Sequence, residues 1–339
     1  MLDLRAADVA AACLMAALNA YALLAGADFG GGVWDLLASG PRKRKQRALI
    51  ADAIAPIWEA NHVWLILAVV LLFTCFPGAF AQLAIALHIP ISLMLIGIVL
   101  RGSAFTFRSY DPGYGDLQRR WGRVFASASV VTPLLLGVVV GAVASGGAGV
   151  VPDPRAGFAA VYLRPWITPF TISVGLFALL LFAFLAAVYL TVESREPAIQ
   201  EDFRRRALAS GIGVFFAAVL VLAASDSGAP LMTKGLLSAP WAVPLHLLTG
   251  GAAVTALGAL WGKRYGVARV AAAAQVSLIL WGWALAQYPY LLPPALTIRD
   301  AAAPEVTLKL VLGALVAGAL VLFPSLYYLF RVFKARPAP

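Results

Sequence analysis

The sequence predicts an all-α fold, a polytopic membrane helical bundle of about nine transmembrane helices, and three observations carry that reading. The chain is 62% hydrophobic and only 12% charged over 339 residues, with a mean hydropathy of +0.87. Its apolar stretches reach about 20 residues, the length that crosses a hydrocarbon core. Its basic residues concentrate in alternate gaps between those stretches, which is how a chain threaded back and forth through a bilayer distributes them. No connector is large enough for a soluble domain, so residues 1–339 are expected to form a single integral membrane domain.

In chain order, the spans fall at roughly 8–34, 53–75, 80–101, 122–145, 166–192, 207–225, 241–261, 267–288 and 306–331. The first follows Asp3, Arg5 and Asp8 and is too long for the apolar core of a signal peptide, so it is expected to be retained as a span. The Arg42-Lys43-Arg44-Lys45 run with Arg47 precedes the second. Phe76-Pro77-Gly78 reads as a tight turn that leaves spans two and three as antiparallel neighbours. Pro90 and Pro244 interrupt spans three and seven. Residues 146–165, 226–240 and 289–305 carry Pro and Gly and are expected to be ordered loops. Of the 26 basic residues, only Arg5, Arg155, Arg164, Lys234, Arg299 and Lys309 lie away from the gaps between spans one and two, three and four, five and six, and seven and eight, their flanks, and the tail. That bias puts the N-terminus outside and the C-terminus in the cytoplasm, as an odd number of spans requires. The net charge of +10 is then a topology signal and a contact for lipid headgroups, with no nucleic acid implied. Cys13 and Cys75 have no partner at metal-ligand spacing and read as small core residues; no metal site is expected.

Ionisable groups within spans are expensive and read as parts of proton or ion paths. The segment Ile54-Ala55-Pro56-Ile57-Trp58-Glu59-Ala60-Asn61-His62-Val63-Trp64 brings a carboxylate, an amide and an imidazole into span two. Asp28 lies roughly 30 Å along span one from its outer end, and Glu59 lies about 9 Å into span two from the cytoplasm, so the two acids are expected at similar depth. His62 is one turn deeper than Glu59 on the same face. Asp35 and Asp52 sit nearer the mouth, and Arg101 at the end of span three is the expected counter-charge. A relay carboxylate needs desolvation balanced by a nearby cation, and Glu59 with Arg101 meets both conditions. Gly30, Gly31 and Gly32 suit close helix approach or a file of water. Trp58 and Trp64 are expected to pack or anchor at the interface, and Asn61 to hydrogen-bond across helices.

Three blocks resemble subunit II of the cytochrome bd quinol oxidases, including the cyanide-insensitive branch. They are Asn19-Ala20-Tyr21-Ala22-Leu23-Leu24-Ala25-Gly26-Ala27-Asp28-Phe29-Gly30-Gly31-Gly32, the span-two segment extended to Leu65, and Leu100-Arg101-Gly102-Ser103-Ala104-Phe105-Thr106-Phe107-Arg108. A weaker match continues through Thr132-Pro133-Leu134-Leu135-Leu136-Gly137-Val138. The resemblance implies two four-helix bundles plus a peripheral helix, in the bacterial inner membrane. It implies no catalytic redox residue and no ligated cofactor in this chain: two b-type haems and haem d belong to a partner, subunit I. It also implies acids near Asp28 and Glu59, with Arg101, feeding cytoplasmic protons toward oxygen reduction. Some members hold a quinone against this subunit, so a bound ubiquinone is an expected occupant, and single-helix accessory subunits are further expected partners. Ala25 stands where the family often has another Asp, Glu59 replaces its usual Asp, and His62 replaces a common Gln or Glu.

The residues alone also favour an absence of haem ligation, since the only histidines are His62, His88 and His246, and a lone membrane histidine more often bonds a neighbouring helix. Two other functional classes compete. A proton-coupled secondary transporter would use the same acids, but matched inverted repeats are not evident. A purely structural subunit would use Asp28, Glu59 and Arg101 as an ion cluster locking three helices.

Overall fold

The computed structural model describes residues 5–54, 58–110, 116–149, 155 and 157–334. Ala55, Pro56 and Ile57 of the acid-bearing segment lie outside that set, as do the side chains of Arg108 and Arg119. The elements are α1 (Ala6–Leu36), α2 (Lys43–Ile54), α3 (Trp58–Cys75), α4 (Pro77–Ala86), α5 (His88–Tyr110), α6 (Asp116–Ala144), α7 (Phe158–Tyr162), α8 (Pro169–Glu193), α9 (Pro197–Gly228), α10 (Pro230–Ser238), α11 (Ala242–Trp261), α12 (Tyr265–Gln287), β1 (Tyr290–Leu292), β2 (Leu296–Thr297) and α13 (Glu305–Lys334). Among the described residues, nine of these helices are long and apolar enough to cross a membrane: α1, α3, α5, α6, α8, α9, α11, α12 and most of α13. Helices α1, α3, α5 and α6 form one group and α8, α9, α11 and α12 a second, joined where α1 and α6 pack on α8. Helix α13 rests on the edge formed by α1 and α3. This is the expected pair of four-helix bundles with a peripheral helix.

Two spans begin later than hydropathy alone suggests. The polar residues from 43 onward form the separate helix α2, and α3 starts at Trp58. The expected third span is divided at Leu87, whose N–H closes α4 on the Leu83 carbonyl (2.9 Å). Pro90 follows, and with no N–H to give the carbonyl of Ala86 it starts a new helix rather than continuing the old one. Helix α4 therefore spaces spans two and three apart. The expected antiparallel pairing of α3 with α5 is replaced by α3 on α1 and α5 on α6. Helices α3 and α5 still touch where the Trp58 ring lies 6.1 Å from that of Phe105. A side chain at Gly102 would press on that indole.

Helix α8 is the axis of the molecule. Every residue from Leu181 to Val188 is buried, the pattern of a helix apolar on all sides. Its tightest neighbour is α1, because a Cβ at Gly30 would collide with the Phe182 carbonyl. The consecutive glycines face three different helices: Gly30 meets α8, Gly31 meets Ile54 of α2, and Gly32 meets Ser129 of α6. They serve close approach. Trp34 ties the same contact by donating Nε1–H to the Ala183 carbonyl (2.7 Å).

Substitution at these glycines should separate rigid from yielding neighbours. Gly30→Ala meets backbone and should cost about 3 kcal/mol, the upper end for overpacking, whereas Gly31→Ala presses on the flexible tip of Ile54, with Ile50 at ordinary contact distance, and should cost under about 1 kcal/mol. Thermal unfolding of the purified protein in detergent reads the contrast, and equal midpoints would contradict this packing.

Candidate functional site

Arg101 is among the largest fully buried side chains, 2% exposed, and it comes from α5, which packs on α6. Its guanidinium reaches across to α1. Nη1 donates to Asp28 Oδ2 (3.0 Å), while Nη2 donates to Asp28 Oδ1 (2.7 Å) and to the Asp28 carbonyl (3.0 Å). Nε donates to Ser129 Oγ on α6 (3.0 Å), whose hydroxyl donates in turn to the Phe125 carbonyl (2.7 Å). Four of the five guanidinium N–H groups are thereby used. The Phe29 and Phe125 rings lie 4.8 and 4.9 Å from the guanidinium carbon, excluding water and adding cation–π attraction. Gly32 allows Ser129 to sit there, since a Cβ at that position would overlap its hydroxyl.

Asp28 belongs to a row. Tyr21, Asp28 and Asp35 recur every seven residues on one side of α1, about 10.5 Å apart along the axis, and all three are buried. Asp35 closes the row at the basic end, where Arg47 donates Nε and Nη2 to its carbonyl (3.2 and 3.1 Å) and lies 3.7 Å from its carboxylate. His62 approaches the row from α3, its ring 5.9 Å from that of Tyr21, 6.0 Å from Phe29 and 6.5 Å from Trp58. Its Nδ1 is buried and has no partner among the described residues, and the same holds for Asn61 Nδ2. Asn61 therefore does not make the expected donor bond across helices.

The other two acids do not join. Glu59 and Asp52 are exposed on the surface of the chain, and no hydrogen bond or ion pair engages either among the described residues. Arg101 thus serves Asp28 and not Glu59. Trp58 and Trp64 are half-buried packing residues beside the core. Sequence reasoning did not find Ser129, Phe125 or Tyr21. Only Tyr21 left a signal, its seven-residue spacing from Asp28. At the basic end, Arg42 donates to both oxygens of Asp202 (2.8 and 2.6 Å) and Lys45 to Glu196 (2.9 Å), tying α2 and its preceding turn to α9. The bonds to Asp202 and its charge raise Arg42 above the usual guanidinium value.

The three histidines sit in separate local environments. His88 Nδ1 donates to the Ile85 carbonyl (3.0 Å) with its ring on Tyr162, and His246 Nε2 donates to the Leu236 carbonyl (2.8 Å). His62 is wedged among three rings. Among the described residues, no cluster of His, Cys, Asp or Glu suits a metal ion.

Nine spans around a charge-paired core define a polytopic membrane protein with ionisable groups committed at depth. The chain belongs to the cytochrome bd terminal oxidase subunit II family, whose model matches residues 6–333. It is 24% identical to a Bacillus subtilis (strain 168) protein named as a cytochrome bd menaquinol oxidase subunit II, over 92% of this chain and 91% of that one. Over a shorter stretch it is 29% identical to the cytochrome bd-I ubiquinol oxidase subunit 2 of Escherichia coli (strain K12), covering 37% of this chain and 32% of that one. A chain in the structure of bd oxidase from Geobacillus thermodenitrificans superposes with a TM-score of 0.78 at 25% identity, covering 97% of this chain and 98% of that one. The chain is accordingly a multi-pass subunit of an oxidoreductase complex in the bacterial inner membrane.

Removing one member of the buried pair should be far worse than removing both. Arg101→Gln is expected to destabilise by about 3–5 kcal/mol through the stranded Asp28 carboxylate, and Arg101→Gln combined with Asp28→Asn to recover most of that loss. The yield and thermal midpoint of the detergent-solubilised complex measure it. A double variant as unstable as the sum of the single ones would contradict the pairing.

Proposed function

We propose that this chain is the subunit without haem in a quinol:oxygen oxidoreductase. It pairs with a haem-bearing subunit I and supplies that partner with protons from the cytoplasm for the reduction of oxygen to water. The basic end of the bundle is the cytoplasmic one. The haems of the partner supply the redox chemistry, and this chain's residues hold charge and move protons.

The observation that carries the reading is the placement of Glu59. It stands on the outer side of α3 in register with Val63, Ile66, Val70 and Phe73, all more than 40% exposed. A carboxylate aligned with such a row is costly against lipid. The row is instead the surface that subunit I covers, together with the exposed side chains of α5 such as Leu93, Ile96 and Leu100. Glu59 then hands protons across the interface, with a counter-charge contributed by the partner because Arg101 is already committed. His62, one turn deeper, and Asn61 carry buried polar atoms with no partner among the described residues, which enclosed water would satisfy. Asp35 and Asp52 collect protons at the basic mouth.

A structural role for Asp28 is favoured by its saturation, since one arginine binds both carboxylate oxygens and its carbonyl. Trp58, Trp64 and the three glycines keep these elements in register.

Glu59→Gln preserves shape and removes the titratable proton. It should leave assembly intact, with unchanged haem content in the purified complex, and slow oxygen consumption per haem by up to roughly 10²-fold. Full turnover in an assembled complex would refute the relay and leave scaffolding as the role of this chain.

A further inference from the structure

A cleft of about 260 Å³ opens at the basic end, between the turn joining α1 to α2 and the first turns of α9. Arg42, Arg205 and Arg206 line it with Gln46 and Asp202. The acid is already consumed, because Arg42 binds both its oxygens and Gln46 Nε2 adds a third bond (2.8 Å). Arg206 donates Nη2 to Gln46 Oε1 (2.8 Å) and lies over Trp34 and Phe203 at 5.4 and 5.0 Å. Among the described residues, its buried Nη1 has no acceptor. Arg205 spends only Nε, on Glu201 (3.0 Å), a carboxylate that Arg204 already grips through two bonds. Among the described residues, Arg42 Nη1 and both terminal nitrogens of Arg205 donate to no acceptor of the chain.

We propose that this cleft binds the phosphate of an anionic phospholipid. Guanidinium forks match phosphate oxygens in geometry and charge, and a buried N–H without an acceptor gains most from one. The lipid source follows from what lies below. Arg205 heads a row of exposed side chains, Ala209, Ile212, Phe216 and Val219, that descends α9 at alternating steps of four and three residues. A headgroup held by the arginines would lay its acyl chain along that row, a feature that a free phosphate does not need. Basic pockets between spans at a membrane face select anionic headgroups in this way.

Native mass spectrometry of the complex, purified with its partner subunit and reconstituted in phosphatidylcholine nanodiscs doped with phosphatidylglycerol, tests it. Because retained lipid is read without turnover, failure here is distinct from failure of the proton reading. Arg42→Gln with Arg205→Gln should weaken retention of phosphatidylglycerol about thirtyfold, and Arg205→Gln alone, which disturbs no buried group, about fivefold. The charge-matched pair Arg264→Gln and Arg269→Gln at the same end should retain it fully. Displacement of the lipid by inorganic phosphate would overturn the lipid as the source and assign the site to a free anion. Equal retention in both sets of variants, or no preference over phosphatidylcholine, would overturn the site itself.

Discussion

The contact between Arg101 and Asp28 governs how this bundle is assembled. Burying two unlike charges costs several kcal/mol per ion before attraction and hydrogen bonding offset it. The structure meets that cost with hydrogen bonds that join three helices: the guanidinium on α5 donates to Asp28 on α1 and to Ser129 on α6. Each acceptor imposes a further condition. Ser129 can lie there only because position 32 has no side chain, and α1 can slide deep enough onto α8 only because position 30 has none. The glycines and the ion pair are therefore one device, in which close backbone approach sets the geometry and the charges penalise any other register.

That commitment shapes the rest of the surface. With Arg101 spent on Asp28, the carboxylate of Glu59 has no cation partner among the described residues and is exposed on a helix whose neighbouring outward residues are apolar. Helix α4 contributes by holding α3 and α5 apart, so that both present open faces rather than burying each other. Such a surface makes sense in a subunit of a complex and would be a liability in an isolated membrane protein, where an unmatched carboxylate would face lipid.

Much of this was legible in the sequence, and the failures have physical causes. Nine apolar stretches and the asymmetry of basic residues sufficed for the span count, because length and hydropathy act locally. Asp28 and Arg101 stood out because charge at depth is rare. The break at Leu87 escaped because hydropathy averages over a window in which α4 and the start of α5 are both apolar, while the decisive feature is the missing N–H of Pro90. The choice of Asp28 over Glu59 by Arg101 escaped for another reason. Depth arithmetic places groups along the membrane normal, and which of two acids at similar height meets a cation depends on lateral packing, here α5 on α6 and α6 on α1. Ser129 was invisible as a lone hydroxyl in an apolar span until its neighbour at Gly32 was known.

The saturation of Asp28 bears on how protons can travel through such a subunit. Adding a proton to Asp28 would leave Arg101 as an uncompensated cation beneath two aromatic rings, and removing the guanidinium would strand the carboxylate. Either change is expensive, so a relay through Asp28 would have to open the contact that registers three helices. An exposed carboxylate such as Glu59, with no partner among the described residues, carries no such burden. In the proposed reading, separating a fixed pair that holds the bundle from an acid that exchanges protons resolves the conflict between rigidity and conduction. It also explains why the chain can keep one acid buried at great cost and leave another, three residues before an imidazole, facing outward.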